Sequence, residues 1–167
     1  VPVAGPMDEC SHRLANRLVG NSSELATLEV TLVGPSLKFL AETMCAVAGA
    51  TFELWLDGVQ VQTGRAFCVP PGGGLRFGRR RAGARAYLAV SGGIDVPPVL
   101  GSRSTDLASQ LGGIGGRSLR AGDRLVVGRS TGRPAICGAV DLPFRLPVGG
   151  AHVRVMNGPD RERVTPE

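Results

Sequence analysis

The chain contains a single lysine, Lys38, with one tryptophan and one tyrosine, and only 4% of its residues are aromatic. That scarcity removes the aromatic stacking platforms on which single-strand nucleic-acid readers are built. With Lys38 outside any Gly-Lys-Ser/Thr context, there is no Walker phosphate loop. No apolar run reaches the length of a membrane span, and the first residues lack the basic-then-apolar build of a secretory leader. Cys-x-x-Cys spacing is also missing. Cys10, Cys45, Cys68 and Cys137 lie far apart, and neither His12 nor His152 stands beside a cysteine pair as in a zinc site. Cys45 sits in the apolar stretch 43–48, where a reduced thiol behaves as a small hydrophobe. Free thiols in the cytoplasm are therefore expected, rather than a secreted, disulfide-bonded protein.

What is abundant is glycine and proline, 25 and 12 of 167 residues. Both penalise helix interiors, so a helical bundle is not expected. With 43% hydrophobic and 20% charged residues the chain can still bury a core, which argues against disorder. The net charge of +5 comes from arginine, concentrated at Arg76, Arg79, Arg80, Arg81 and Arg85. Such a cluster is either a phosphate patch or a solvated hairpin tip. Without a nucleic-acid-binding pattern around it, the hairpin is expected and no nucleic-acid partner is assigned.

One segment near the start reads as a helix, over 9–19. Asp8 is placed to cap it, Glu9 suits its positive end, and Leu14, Ala15, Leu18 and Val19 recur at helical spacing. Ser11, His12, Arg13, Asn16 and Arg17 form the expected polar face, and Gly20-Asn21 the stop. From Thr27 the pattern changes to short β-like runs: 28–32, 37–40, 44–48, 51–56, 59–62, 66–69, 75–77 and 84–90. Asp57-Gly58 is a strong hairpin signal, and 75–77 with 84–90 are expected to make another hairpin around the arginines. Regular short strands separated by turns predict a mainly β fold, a closed barrel or sandwich. Residues 91–116 read as an ordered functional loop or a linker, with Ser104 or Thr105 capping a short helix through Leu111. A final strand is expected over 124–127, a connector over 129–149, and a new strand from His152 to Met156.

Gly128-Arg129-Ser130-Thr131-Gly132 matches G-x-S-x-G, with Asp141 and His152 following in the order of an α/β-hydrolase triad. Its context argues against it: Arg133-Pro134 follows where a helix must begin, so a coincidental loop is the preferred reading. Gly112–Gly116 could offer backbone N–H groups to an anion, but no strand-turn-helix frame supports this, and a turn is expected. Three acids stand apart. Asp8 follows a rigid Gly-Pro, Glu29 lies in an otherwise apolar strand, and Asp106 closes the run from Gly101. Glu29 needs a partner there, for which Arg103 or His12 is available. Each acid also has a plain alternative: helix cap for Asp8, solvent-facing strand residue for Glu29, first-turn stabiliser for Asp106.

Several runs together resemble one family. They are Gly5-Pro6-Met7-Asp8, the segment from Ser11 to Asn21, Leu28–Leu32 with Gly34-Pro35, and above all Ala86 to Asp106. The sequence is similar to allophanate hydrolase subunit 2, or KipA-like, proteins, which include the third subunit of bacterial 5-oxoprolinase and the carboxyltransferase portion of urea carboxylase. The resemblance implies a cyclophilin-like β-barrel. It divides the chain into a first unit over 1–148 and the start of a second half over 149–167, which marks the chain as a fragment expected to be inactive alone.

Two activities are implied. One is ATP-dependent hydrolysis of 5-oxoproline to glutamate, with KipI-like and LamB/YcsF-like partner subunits. The alternative is transfer of a carboxyl group from carboxybiotin to urea, with biotin on a partner, since no Ala-Met-Lys-Met motif is present here. A non-catalytic KipA-like regulator is a further alternative. Both catalytic readings have a small amide substrate. For these, Ser91, Gly92, Gly93, Asp95, Ser102, Arg103, Ser104 and Asp106 are expected to form one loop lining the pocket. Asp8, His12 and Glu29 are expected to approach from the N-terminal side. Gly92-Gly93 amides and Arg103 are the candidate oxyanion partners, and Asp106, Asp8 and Glu29 the candidate catalytic carboxylates.

Overall fold

The computed structural model describes residues 3–130, 152, 154–156 and 158. It is mainly β. A helix, α1 (Glu9–Leu18), precedes six strands: β1 (Leu28–Thr31), β2 (Ser36–Lys38), β3 (Thr43–Leu56), β4 (Val59–Val61), β5 (Ala66–Val69) and β6 (Gly74–Val90). All pairings are antiparallel, as hairpin-rich sequences without crossover helices require. The spine is β3 against β6. β1 and β2 share the free edge of β6, and β4 and β5 share that of β3.

The helix forms where its caps and apolar spacing place it. The Asp8 carboxylate accepts the Ser11 N–H at 3.0 Å, and Gly20 follows the helix at φ +77°. Ala15, Leu18 and Val19 are buried against Ala46, Ala48, Tyr87 and Ala89, whose mostly small side chains let the helix settle on the outer face of the sheet. Ser11 and Asn16, expected on the polar face, are both fully buried. Apolar spacing alone misplaced them, because their hydroxyl and amide find partners inside the protein and so can leave water.

The opposite face holds the larger core. Cys45, Val47, Phe52 and Leu54 of β3 meet Leu75, Phe77, Leu88 and Val90 of β6, with Val30 and Val69 from the edges. Phe52 and Phe77 contact edge to face, 5.5 Å between centroids. Asp57 and Gly58, at φ +47° and +85°, make the tight turn into β4 as their sequence requires.

Two expectations are corrected here. The runs 44–48 and 51–56 are one 14-residue strand, and 75–77 and 84–90 are one 17-residue strand with the arginines along it. The chain bends instead of reversing, because register shifts between Gly49 and Leu54 absorb the irregularity. Gly78 is needed for close approach, since a Cβ there would press on Glu53 and the Trp55 indole. The arginines are engaged locally: Arg81 pairs with Glu53, Arg76 lies 5.8 Å from the Trp55 ring centre, and Arg80 donates to the Gly83 carbonyl.

Beyond β6 the chain from Ser91 to Ser130 has neither helix nor strand, only isolated bridges. The expected helix through Leu111 does not form. Gln110 and Gly112, at φ +54° and +73°, turn the chain so that Leu111 pairs back onto Asp106. Of the expected 124–127 strand only Val127 bridges, to Ile94. The expected 152–156 strand is not seen: His152, Arg154, Val155 and Met156 are in no strand, and residue 153 lies outside the described residues, as do residues 131–149 of the connector and the 148/149 division. No helix among the described residues is long and apolar enough to cross a membrane.

Candidate functional site

The candidate residues fall into two groups, joined by the N-terminal segment. The first surrounds Tyr87, which β6 places opposite Glu29 of β1. The Asp8 N–H donates to the Tyr87 hydroxyl at 2.8 Å, and that hydroxyl donates to Glu29 Oε2 at 2.8 Å. Glu29 also accepts the Met7 N–H at 3.2 Å and the Arg85 guanidinium at 2.5 Å. Its partners are thus Arg85 and Tyr87, neighbours by sheet register, and not Arg103 or His12. Burial pushes the Tyr87 phenol up, the Asp8 N–H opposes this, and the bond to Glu29 adds to it.

Asp8 also accepts from the Ser11 hydroxyl at 2.5 Å, so its carboxylate serves the helix cap. His12 contacts the Tyr87 ring edge-on, 6.0 Å between centroids. Its Nε2 lies 2.9 Å from the Ser23 carbonyl, which can only accept, so Nε2 carries the proton. In the neutral ring Nδ1 then accepts from the Thr27 hydroxyl at 2.9 Å.

The second group is the 91–116 loop. Its start is tightly engaged: the Gly92 N–H donates to Asn21 Oδ1 at 2.9 Å and the Gly93 N–H to the Val90 carbonyl at 2.8 Å. Both amides proposed for an oxyanion are therefore occupied within the chain. Ser91 and Ser130 share a hydroxyl hydrogen bond at 2.6 Å. Asp141 of the G-x-S-x-G arrangement lies outside the described residues. Asp95 is exposed, its N–H donating to Val126. Arg103 donates to the Val96 carbonyl, which differs from the carboxylate pairing weighed for it. Ser102 donates to the Ala4 carbonyl at 2.6 Å and accepts the Ser104 N–H at 3.0 Å.

A surface depression follows, lined by Ala4, Val99, Leu100, Ser104, Asp106, Leu111 and Gly112. Leu100 and Gln110, with φ of +50° and +54°, are non-glycine residues in the left-handed region at or beside its rim. Asp106 Oδ1 accepts the N–H groups of Ala108 and Ser109. The Ser109 contacts, chiefly, and the Ala108 N–H hold its carboxyl below the usual range. At neutral pH it is an acceptor and not a proton donor. Gly112–Gly116 fold back onto Ser104, Thr105 and Gln110, where a Cβ would collide at positions 112, 113 and 116. The run is a packing device, with no helix behind it to hold a phosphate. Among the described residues no His/Cys/Asp/Glu cluster could hold a metal ion.

Sequence reasoning missed Tyr87, Arg85, Asn16 and Asn21. The first two were recoverable from period-two alternation once β1 and β6 were paired. The asparagines carry no local signal, because their partners are backbone groups from distant segments.

A mainly β domain with one outer helix and a long, internally bonded polar loop is the class these features define. The chain belongs to the family of carboxyltransferase domains, subdomains A and B, whose model matches residues 1–167. It is 47% identical over 125 residues to the urea amidolyase of Saccharomyces cerevisiae, covering 75% of this chain and 7% of that one. It is 45% identical over 126 residues to a 5-oxoprolinase subunit of Escherichia coli, covering 75% of this chain and 41% of the relative. The solved structure of Kluyveromyces lactis urea carboxylase superposes with a TM-score of 0.75 at 45% identity, over 80% of this chain and 12% of that one. The chain thus spans less than half the length of these relatives.

Proposed function

We propose that the chain is part of a cytoplasmic 5-oxoprolinase component, acting in an ATP-dependent complex that hydrolyses 5-oxoproline to glutamate. The observation carrying this reading is the 45% identity to a 5-oxoprolinase subunit across three quarters of the chain. On this reading the N–H of a small cyclic amide is accepted by the ionised Asp106 carboxylate, which lies beside Ser104 in a shallow surface depression. Ser102 and Arg103, bonded to Ala4 and Val96, hold that stretch in shape. Ser91, Gly92, Gly93 and Asp95 form the loop's root; Asp8, His12 and Glu29 brace the N-terminal segment that reaches it. In this reading ATP is supplied through the complex, whose proposed partner subunits are KipI-like and LamB/YcsF-like.

A second reading, a biotin-dependent carboxyltransferase acting on urea, is favoured by the 47% identity to a urea amidolyase. Biotin would arrive on a carrier, Lys38 being the chain's only lysine. The complete protein, assembled with its partner subunits, distinguishes the two. Glutamate released from 5-oxoproline only when ATP is present supports the first. ATP- and bicarbonate-dependent consumption of urea in the presence of a biotinylated carrier, without glutamate release, supports the second.

A further inference from the structure

Between the helix and the loop lies a buried amide network that neither group above accounts for. Asn16 is fully buried and Asn21 nearly so. Asn16 Nδ2 donates to the Leu25 carbonyl at 2.8 Å, and Asn16 Oδ1 accepts from Asn21 Nδ2 at 2.9 Å. Asn21 Nδ2 also donates to the Val90 carbonyl at 2.8 Å, while Asn21 Oδ1 accepts the Gly92 N–H at 2.9 Å. The orientation of this amide is fixed by its partners. A flipped Asn21 would set its NH₂ against the Gly92 N–H and its oxygen against the Val90 carbonyl. Asn21 thus spans the last residue of β6 and the second residue of the loop.

The place it spans is where the chain leaves the sheet. Gly92 and Gly93 are both left-handed, at φ +92° and +72°. A Cβ on Gly92 would meet the Gly128 carbonyl, and one on Gly93 would meet Leu25. The departure of the loop is therefore crowded on two sides, and the Asn21 side chain holds it on a third.

We infer that Asn21 is a positioning residue, whose side-chain amide fixes the direction in which the 91–106 loop leaves β6 and so sets the substrate depression at its far end. The inference rests on the site reading given above, but its first test does not. In the unaltered protein the Gly92 amide, though outside any strand, should exchange with solvent as slowly as the amides of Leu88 and Ala89. Rapid exchange there overturns the inference without any variant being made.

In the complete protein with its partner subunits, Asn21→Ala should speed Gly92 exchange by about tenfold or more while the 45–48 amides keep their protection. The KM for 5-oxoproline should rise by about fivefold or more, a shift in binding. A merely structural loss would lower the amount of folded enzyme and hence kcat, with KM unchanged, and that pattern overturns the inference. Faster Gly92 exchange with kcat and KM both unaltered would instead overturn the assignment of this loop to the substrate site.

Discussion

The Tyr87 hydroxyl stands between Glu29 and the backbone of Asp8, donating to the first and accepting from the second, each at 2.8 Å. Through it β6, β1 and the cap of α1 are joined at one atom, beneath the N-terminal segment that continues to the loop. Tyr87 is essentially inaccessible, whereas Asp8 and Glu29 are half-buried. Tyr87→Phe should therefore cost about 0.5–1.5 kcal/mol, the net range for a hydrogen bond whose partners keep access to water. Urea denaturation measures it; a variant as stable as the parent would show that the bonds contribute nothing net.

Leu18 is fully buried where α1 meets the alanines of β3 and β6. Leu18→Ala should cost about 2–4 kcal/mol. Leu14 is only partly buried in the same cluster, and Leu14→Ala should cost clearly less. Equal losses at the two positions would contradict the packing described.

Alkaline stability follows from two buried acids. Burial pushes the Cys45 thiol from 9.0 up to about 12 and raises the Tyr87 phenol as well. Both groups stay neutral in the folded protein and ionise at lower pH once unfolded. Their contribution is thus complete below about 9 and is lost as pH rises toward about 12. The urea midpoint should fall steadily above about pH 9, and Cys45→Ala should make that fall shallower despite a lower starting stability. A midpoint flat across this range contradicts the burial of these groups.

Arg117 and Asp123 form a two-pronged pair at 2.7 and 2.9 Å. That guanidinium, with the Arg120 N–H, holds the Asp123 carboxyl well below the usual range. The pair's contribution is present above the ordinary aspartate value and drains as pH falls below it. Arg117→Ala should increase proteolytic cleavage between residues 112 and 124 while the β3–β6 core keeps its exchange protection. Unchanged cleavage would show that the loop is held elsewhere.

How much of this was legible beforehand varied with the range of the interaction. The Asp8 cap, the Asp57-Gly58 turn and β5 depend on neighbours in sequence, and the residues announce them. The arginine-rich stretch between 77 and 84 read as a hairpin turn; only pairing with the bulged β3 shows that it continues the strand, with Gly78 in close approach to Glu53 and Trp55 and Gly83 at φ +74°. Ser11 and Asn16 read as surface residues because a polar side chain reveals nothing of a buried partner. In the loop, the polar run from Ser91 to Asp106 marked the region, whereas the pairing of Arg103 with a carbonyl and the occupation of the Gly92 amide depended on contacts across the fold.

The central claim is that the loop end carrying Asp106 handles a small amide substrate. Asp106→Asn keeps an oxygen for the Ala108 and Ser109 N–H groups and removes only the charge. In the complete protein with its partner subunits, turnover of 5-oxoproline should fall by about 100-fold, the scale of losing a substrate-orienting contact. The melting temperature and subunit assembly should stay as in the parent. Turnover at the parental rate in a folded, assembled Asp106→Asn protein would contradict the account.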